Sequence, residues 1–144
     1  MAVPVVELSA DRSLYPVFLR LDGRRVVIVG GGQVASAKLP ALLRAGARVT
    51  VVAPGIRDAL RIAPVALRER AFVPADLDGA FFVVAAATPD VNRAVAAAAD
   101  ERGVFVNAVD DASNASAYLG GVVRRGGVTI AISTGGRAPA LAGL

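Results

Sequence analysis

Few residues of this chain could transfer a proton, because it contains neither histidine nor cysteine. This composition excludes thiol catalysis, disulfides, a Ser-His relay and the usual nitrogen and sulfur ligands of zinc. Carboxylates, tyrosines and the single lysine, Lys38, remain for acid–base chemistry. Among the carboxylates, Asp110 and Asp111 stand out because they end an apolar run, VFVNAVDD, that is typical of a buried strand.

The position of this aspartate pair suggests a catalytic base. In open α/β sheets ligands bind beyond the carboxyl ends of the strands, which is where residues 107–111 are expected. An aspartate with an ordinary pKa of about 3.9 is ionised at neutral pH, so Asp110 could accept a proton while a neighbouring cofactor accepts a hydride. The alternative is a solvated turn before Ser113, and the residues alone leave both interpretations open.

Three more polar residues are candidates for the same site, and two of them have an alternative interpretation. Thr88 could contact a cofactor at the end of a strand, or it could simply precede a helix that begins at Pro89. Asn107 lies beside the aspartate pair and is a candidate cofactor ligand. Asn92 could serve the same site or be a solvated helix residue.

A glycine-rich motif, GGGQVA, begins at Gly30 and fits G-x-G-x-x-G/A between a predicted strand and a predicted helix. Gly30 would permit the tight turn, and Gly32 would let the backbone approach a pyrophosphate. The amides of Gln33 and Val34 would face the phosphates at the positive end of the helix. The motif predicts a dinucleotide site, and a turn used only for packing is the alternative.

The acidic residue that usually binds the adenosine ribose is missing. It is expected about 20 residues after the first glycine, where residues 50–54 are Thr, Val, Val, Ala and Pro. We therefore expect ribose contacts from the backbone of Pro54 and Gly55, or from a polar side chain. Arg57 leaves a phosphorylated ribose open, so the residues do not distinguish NAD from NADP.

The elements that would position these residues alternate between strand and helix. Apolar runs at 26–32, 48–54, 79–90 and 104–111 read as buried parallel strands, the third ending at Thr88, with helices after the first and third. At 144 residues, 55% of them hydrophobic, the chain predicts one core. The fold class is α/β, a Rossmann-like parallel sheet with helices on both faces, over residues 1–114. We expect a kink at Pro40, inside the first helix.

Two hairpins are predicted outside this alternation. Asp22 and Gly23 lie between apolar runs, so we expect the first strand to pair with the segment before it. The sequence RRGG over 124–127 separates two further apolar runs. Residues 115–144 would then form a dimerisation segment whose exposed apolar residues call for a second copy of the chain.

Charge and hydropathy bound the partners. Lys and Arg number 16 against 12 acidic residues, but the longest basic runs are pairs, so no nucleic-acid partner is expected. The mean hydropathy is +0.57, yet the most apolar stretch, 79–88, is short of the roughly 18–20 residues that span a bilayer. Neither a membrane partner nor an export signal is expected, so we predict a cytoplasmic location.

The ordered set VVIVGGGQVASAK, AGARVTVVAP, AAATPDVN, VFVNAVDD and ISTGGRAP resembles the siroheme synthase N-terminal family of precorrin-2 dehydrogenases and sirohydrochlorin ferrochelatases. The resemblance implies NAD-dependent oxidation of precorrin-2 to sirohydrochlorin by a homodimer, and in some members iron insertion. It assigns Asp110 as the catalytic aspartate, Gln33 and Val34 as pyrophosphate contacts, and Pro54 and Gly55 as contacts after the second strand.

The chain ends at Leu144, soon after the ISTGGRAP element, where the family continues into a helical module. The dimerisation segment is therefore shortened relative to the family. Two alternatives to an active dehydrogenase follow, a non-catalytic NAD-binding sensor domain and an inactive fragment. Ferrochelation is left open, and no protein-held metal is expected.

Overall fold

The computed structural model describes residues 13–109 and 111–134, and its centre is a five-stranded parallel sheet. The strand order is β3-β2-β1-β4-β5, with every neighbouring pair parallel. The strands are β1 (Arg25–Val29), β2 (Arg48–Val52), β3 (Ala66–Arg68), β4 (Phe82–Ala85) and β5 (Phe105–Ala108). The α-helices are α1 (Gln33–Arg44), α2 (Asp58–Arg61) and α3 (Pro89–Arg102), and single 3₁₀ turns cover Pro74–Leu77 and Ala112–Asn114. This is the predicted Rossmann-like α/β class.

Two apolar layers cover the sheet because alternate strand residues point to opposite faces. On one face Val26 and Ile28 pack with Leu39 and Leu42 of α1. On the other face Val27 and Val29 join a cluster that includes Val95, Ala98 and Ala99 of α3. Helices therefore lie on both faces, which explains why the central strands read as unbroken apolar runs.

The hairpin predicted at Asp22 and Gly23 is wrong. Both edges of β1 are occupied by parallel neighbours, β2 and β4, so no edge is free for the preceding segment. The pair instead forms a turn in which Gly23, at φ 69°, donates its amide to Gly46 O at 2.9 Å. The turn thus ties the entry of β1 to the end of α1.

Several boundaries differ from the sequence-based expectation. The third predicted strand, β4, ends at Ala85 rather than Thr88, and Thr88 is the residue that precedes α3. The edge strand β3 was not predicted; it is only three residues long and all of its residues are exposed. Helix α1 contains Pro40 in its interior, as predicted, and the kink expected there stays a prediction.

The second predicted hairpin is confirmed. Strand β6 (Gly121–Arg125) pairs antiparallel with β7 (Val128–Ile132), so the two arginines belong to the strand and the turn consists of Gly126 and Gly127. Both turn glycines have positive φ, 56° and 79°, as a two-residue hairpin turn of the primed type requires. Within the described residues, no helix has the length and apolar character needed to cross a bilayer.

A buried carboxylate anchors the crossover from β3 to β4. The Asp76 side chain is 1% exposed and accepts hydrogen bonds from Arg70 at 2.6 and 2.9 Å, from Arg68 at 2.6 Å and from the Val73 amide at 2.9 Å. The Arg70 guanidinium, followed by the Val73 amide and Arg68, holds the pKa of Asp76 well below its ordinary value, against the opposing effect of burial.

Asp76→Asn is expected to lower the free energy of unfolding at pH 7 by about 2–3 kcal/mol, the cost of losing charge-assisted hydrogen bonds. A lowered folded-state pKa stabilises the fold above the unfolded value of about 3.9, so the difference from the parent should shrink as the pH falls below about 4. Urea unfolding at several pH values measures it. Asp78→Asn, which removes an exposed ion pair with Arg102, is the control and should cost at most about 1 kcal/mol. Equal losses in the two variants would contradict this account.

Candidate cofactor and active site

The site lies where β1 and β4 are neighbours and the chain leaves them in opposite directions. Strand order reverses at this point, which is where open α/β sheets bind ligands. The glycine-rich turn follows β1, and the loop of residues 86–88 follows β4. Both leave the sheet at the same edge, as the sequence predicts.

Gly30 and Gly31 are required by close backbone contacts. Gly30 has φ 135°, donates to Val52 O at 3.0 Å, and would place a Cβ 2.3 Å from the carbonyl oxygen of Ala86. A Cβ on Gly31 would lie 1.9 Å from the carbonyl oxygen of Gly55. The first glycine therefore holds the turn against the loop after β4, and the second holds it against the loop after β2.

Gly32 is different, because nothing lies within 4 Å of the position its Cβ would occupy. It precedes α1 with extended backbone angles, φ −96° and ψ −159°, and no side chain caps the helix. The first amides of a helix have no partner within it, so those of Gln33 and Val34 remain available to an external acceptor. Open space over Gly32 together with uncapped amides fits a dinucleotide pyrophosphate.

Asn92 shapes the loop between β4 and α3. Its Oδ1 accepts from the Ala87 amide at 2.9 Å, its Nδ2 donates to Ala87 O at 3.3 Å, and its side chain is buried. The interpretation of Asn92 as a solvated helix residue is therefore wrong. Thr88 is exposed in this loop and makes no capping hydrogen bond, so its hydroxyl stays available at the edge where the cofactor is expected.

The loop after β2 borders the glycine-rich turn. Pro54 and Gly55 are both exposed, and the Arg57 amide donates to Gly31 O at 2.9 Å. Together with the close contact of Gly55 and Gly31, this hydrogen bond fixes the backbone predicted to meet the adenosine ribose. The predicted ribose and pyrophosphate residues are therefore adjacent in the structure.

The carboxyl end of β5 contains the remaining predicted residues. Asn107 is buried and its Nδ2 donates to Ala117 O at 3.0 Å, so one of its polar groups holds the chain that follows. The Val109 amide donates to Ala85 O at 3.1 Å and the Asp111 amide to Ala108 O at 3.3 Å. Asp110, the predicted catalytic residue, lies outside the described residues.

The side chain of Asp111 is held by hydrogen bonds from two nearby residues. Its carboxylate accepts from Ser113 Oγ and from Asn114 Nδ2, both at 2.6 Å. These hydrogen bonds, that of Ser113 first, lower the pKa of Asp111 below its ordinary value. A carboxylate so engaged is a weak base, so the solvated-turn interpretation suits Asp111.

Comparison with known proteins places this geometry in a family. The family model described as "Putative NAD(P)-binding" matches residues 17–121, which include both the glycine-rich turn and β5. The chain belongs to this family. As a member it contains the fold and the uncapped helix start that an NAD cofactor needs, and the match agrees with the fit at Gly32.

Several proteins similar in sequence to this chain are siroheme synthases. Siroheme synthase 1 of Aeromonas salmonicida is 41% identical over 134 residues, covering 90% of this chain and 29% of that protein. The siroheme synthase of Photorhabdus laumondii is also 41% identical over 134 residues, covering 90% and 28%. The chain thus spans about three tenths of the length of these relatives, and the resemblance to the siroheme synthase N-terminal family is confirmed.

Solved structures agree. A structure titled "SirC, precorrin-2 dehydrogenase" matches with TM-score 0.72 and 28% identity over 90% of this chain and 66% of that one. The apo-structure of D-lactate dehydrogenase from Escherichia coli matches with TM-score 0.52 and 20% identity over 62% of this chain and 30% of that one. The second likeness concerns the fold alone.

Sequence reasoning missed two residues that shape the site. Gly31 occupies a variable position of the fingerprint, and the requirement for glycine there comes from its contact with the loop after β2. The run of three glycines was the only sequence signal for this requirement. Asn92 was considered only as a ligand or a solvated residue. Its spacing of four residues from Thr88, whose carbonyl accepts the Asn92 amide at 2.8 Å, indicates a first-turn residue able to reach back to the loop.

Proposed function

We propose that this chain oxidises precorrin-2 to sirohydrochlorin with NAD, the dehydrogenase step of siroheme biosynthesis. The observation that carries the proposal is the match to a precorrin-2 dehydrogenase over 90% of the chain, including the edge where the glycine-rich turn lies open. The identity of 41–44% to several siroheme synthases supports the same substrate. A cytoplasmic location, where NAD is available, is part of the proposal.

Each predicted site residue takes a role in this reaction. The amides of Gln33 and Val34 bind the pyrophosphate, which Gly32 admits by lacking a side chain. Gly30 keeps the turn tight, and the backbone of Pro54 and Gly55 contacts the adenosine ribose. These contacts hold the cofactor at the carboxyl edge of the sheet.

The remaining roles concern the reacting end. Bound NAD supplies the hydride acceptor. Asp110 removes a proton from the tetrapyrrole, so that the substrate loses one hydride and one proton in total. Thr88 lies in the loop after β4 and Asn107 near the end of β5, and both help to position the nicotinamide side of the site. The net charge of +4 suits a substrate with many carboxylates.

A homodimer through the hairpin is a further part of the proposal. In the β6–β7 register Val123 opposes Ile130 and Gly121 opposes Ile132. The side chains of Val123, Ile130 and Ile132 therefore share one face of the hairpin. Val123, Ile130 and Ile132 are 47%, 54% and 38% exposed. A two-stranded ribbon with an apolar face is marginal alone, and a second copy of the chain would cover it.

Ile130→Glu is expected to convert the dimer to a monomer in sedimentation experiments, because it buries a charge in the proposed interface. Thr129→Glu adds the same charge on the opposite face of the same strand and should leave the dimer intact. A parent chain that sediments as a monomer at every concentration would contradict this part of the proposal, as would equal behaviour of the two variants.

The dehydrogenase proposal is tested by mixing the purified chain with precorrin-2 and NAD and following the absorbance of the reduced nicotinamide. We expect reduced cofactor to accumulate together with the sirohydrochlorin spectrum, and no reduction without precorrin-2. A chain that binds NAD but does not oxidise precorrin-2 would contradict the proposal and favour a non-catalytic nucleotide-binding domain. Iron insertion is a separate question; no group of three or more metal-binding side chains occurs in the described residues.

A further inference from the structure

The acidic residue that usually binds the ribose is missing, and a basic residue, Arg57, lies at the same edge of the sheet. Strands β2 and β3 are parallel neighbours, and the Ala53 amide donates to Arg68 O at 3.2 Å, so the chain segments after both strands meet there. Arg57 is exposed in the first of these segments, and its backbone is fixed to the glycine-rich turn through Gly31 O. The backbone of Arg57 is therefore held beside the turn where the pyrophosphate is expected.

The other charges around this edge are engaged with one another. Arg61 pairs with Glu69 and is also stabilised by the charge of Asp58. Arg68 and Arg70 share the buried carboxylate of Asp76. The charged side chains at this edge are Arg57, Arg61, Arg68 and Arg70, and Asp58, Glu69 and Asp76.

The guanidinium of Arg57 has no hydrogen bond or ion pair with any other part of the described chain. The three acids nearby, Asp58, Glu69 and Asp76, interact with arginines other than Arg57. The edge therefore combines one unpaired guanidinium with the absence of the acid that would repel a phosphate on the ribose. Guanidinium groups bind phosphate by charge-assisted, often bidentate hydrogen bonds.

We propose that Arg57 binds the 2′-phosphate of NADP, so that this chain accepts NADP as well as NAD. The inference rests on the cofactor site proposed above and not on the oxidation of precorrin-2. Arg57 is thus a residue that determines cofactor specificity. It contributes little to the binding of NAD, which has a hydroxyl where NADP has the phosphate.

Titrations that follow the fluorescence of NADH and NADPH on the purified chain test the proposal without any turnover. We expect the parent to bind both. Arg57→Gln should weaken NADPH binding by about ten- to a hundredfold and change NADH binding by less than about threefold. Arg57→Lys, which keeps the charge, should recover part of the NADPH affinity. Arg44→Gln removes an exposed arginine at the end of α1 and should change neither.

Competition between NADPH and adenosine nucleotides tests whether Arg57 contacts the 2′-phosphate. Adenosine 2′,5′-bisphosphate should displace NADPH from the parent better than AMP does, and this advantage should vanish in Arg57→Gln. A parent that binds NADH but not NADPH would overturn this inference alone, as would an Arg57→Gln chain that binds NADPH like the parent. A parent that binds neither cofactor would overturn the cofactor site itself.

Discussion

Asp110→Asn is expected to lower the turnover of precorrin-2 by about a hundred- to ten-thousand-fold, the usual cost of losing a general base. The substitution keeps the size of the side chain and removes its ability to accept the proton. No histidine or cysteine exists in the chain to replace it. The affinity for NADH should stay close to that of the parent, because the proposed pyrophosphate contacts lie after β1 and not after β5.

Asp111→Asn is the matched control. The Asp111 carboxylate is held by Ser113 and Asn114, and these hydrogen bonds stabilise its ionised form, so it is poorly suited to receive a proton. Its replacement should have a far smaller effect on turnover. The assignment is wrong if Asp111→Asn abolishes turnover, or if Asp110→Asn retains a rate near that of the parent.

Gly32→Val is expected to weaken NADH binding by at least about a hundredfold while the protein stays folded. The valine would occupy the open space over the turn and keep the phosphates away from two amides, each contributing about 1.5–3 kcal/mol through charge-assisted hydrogen bonds. No atom lies within 4 Å of the new Cβ and φ is negative, so the stability should fall by no more than about 1 kcal/mol from the loss of a helix-starting glycine.

Gly30→Ala provides the contrast within the same turn. There φ is 135° and the added Cβ would lie 2.3 Å from Ala86 O, so the loss should appear in thermal unfolding as well as in binding. Cofactor titration and thermal unfolding of both variants separate the two roles. A folded Gly32→Val chain that binds NADH as the parent does would show that the pyrophosphate site lies elsewhere.

The parallel core and the glycine-rich turn were predictable because the signals are local. The apolar runs that became β1, β2, β4 and β5 are continuous in sequence, and GGGQVA follows the first of them directly. The turn of Gly126 and Gly127 is equally local. In such segments, neighbouring residues alone determine the conformation.

What could not be predicted depends on distant partners. Strand β3 is exposed and exists because β2 offers it a free edge. Gly31 is explained by Gly55, 24 positions away in a loop whose course no local pattern reveals. The Asp22 and Gly23 pair has the local signature of a hairpin, but β1 already has two parallel neighbours, so the tertiary arrangement prevailed over the turn propensity.

Backbone amide chemical shifts measured during a titration of the ¹⁵N-labelled chain with NAD test the cofactor site most directly. We expect the largest shifts at the amides of Gln33 and Val34, smaller ones at Gly55 and Thr88, and none at the hairpin turn of Gly126 and Gly127. Largest shifts in the groove between α3 and residues 113–116, with the glycine-rich turn unchanged, would contradict it.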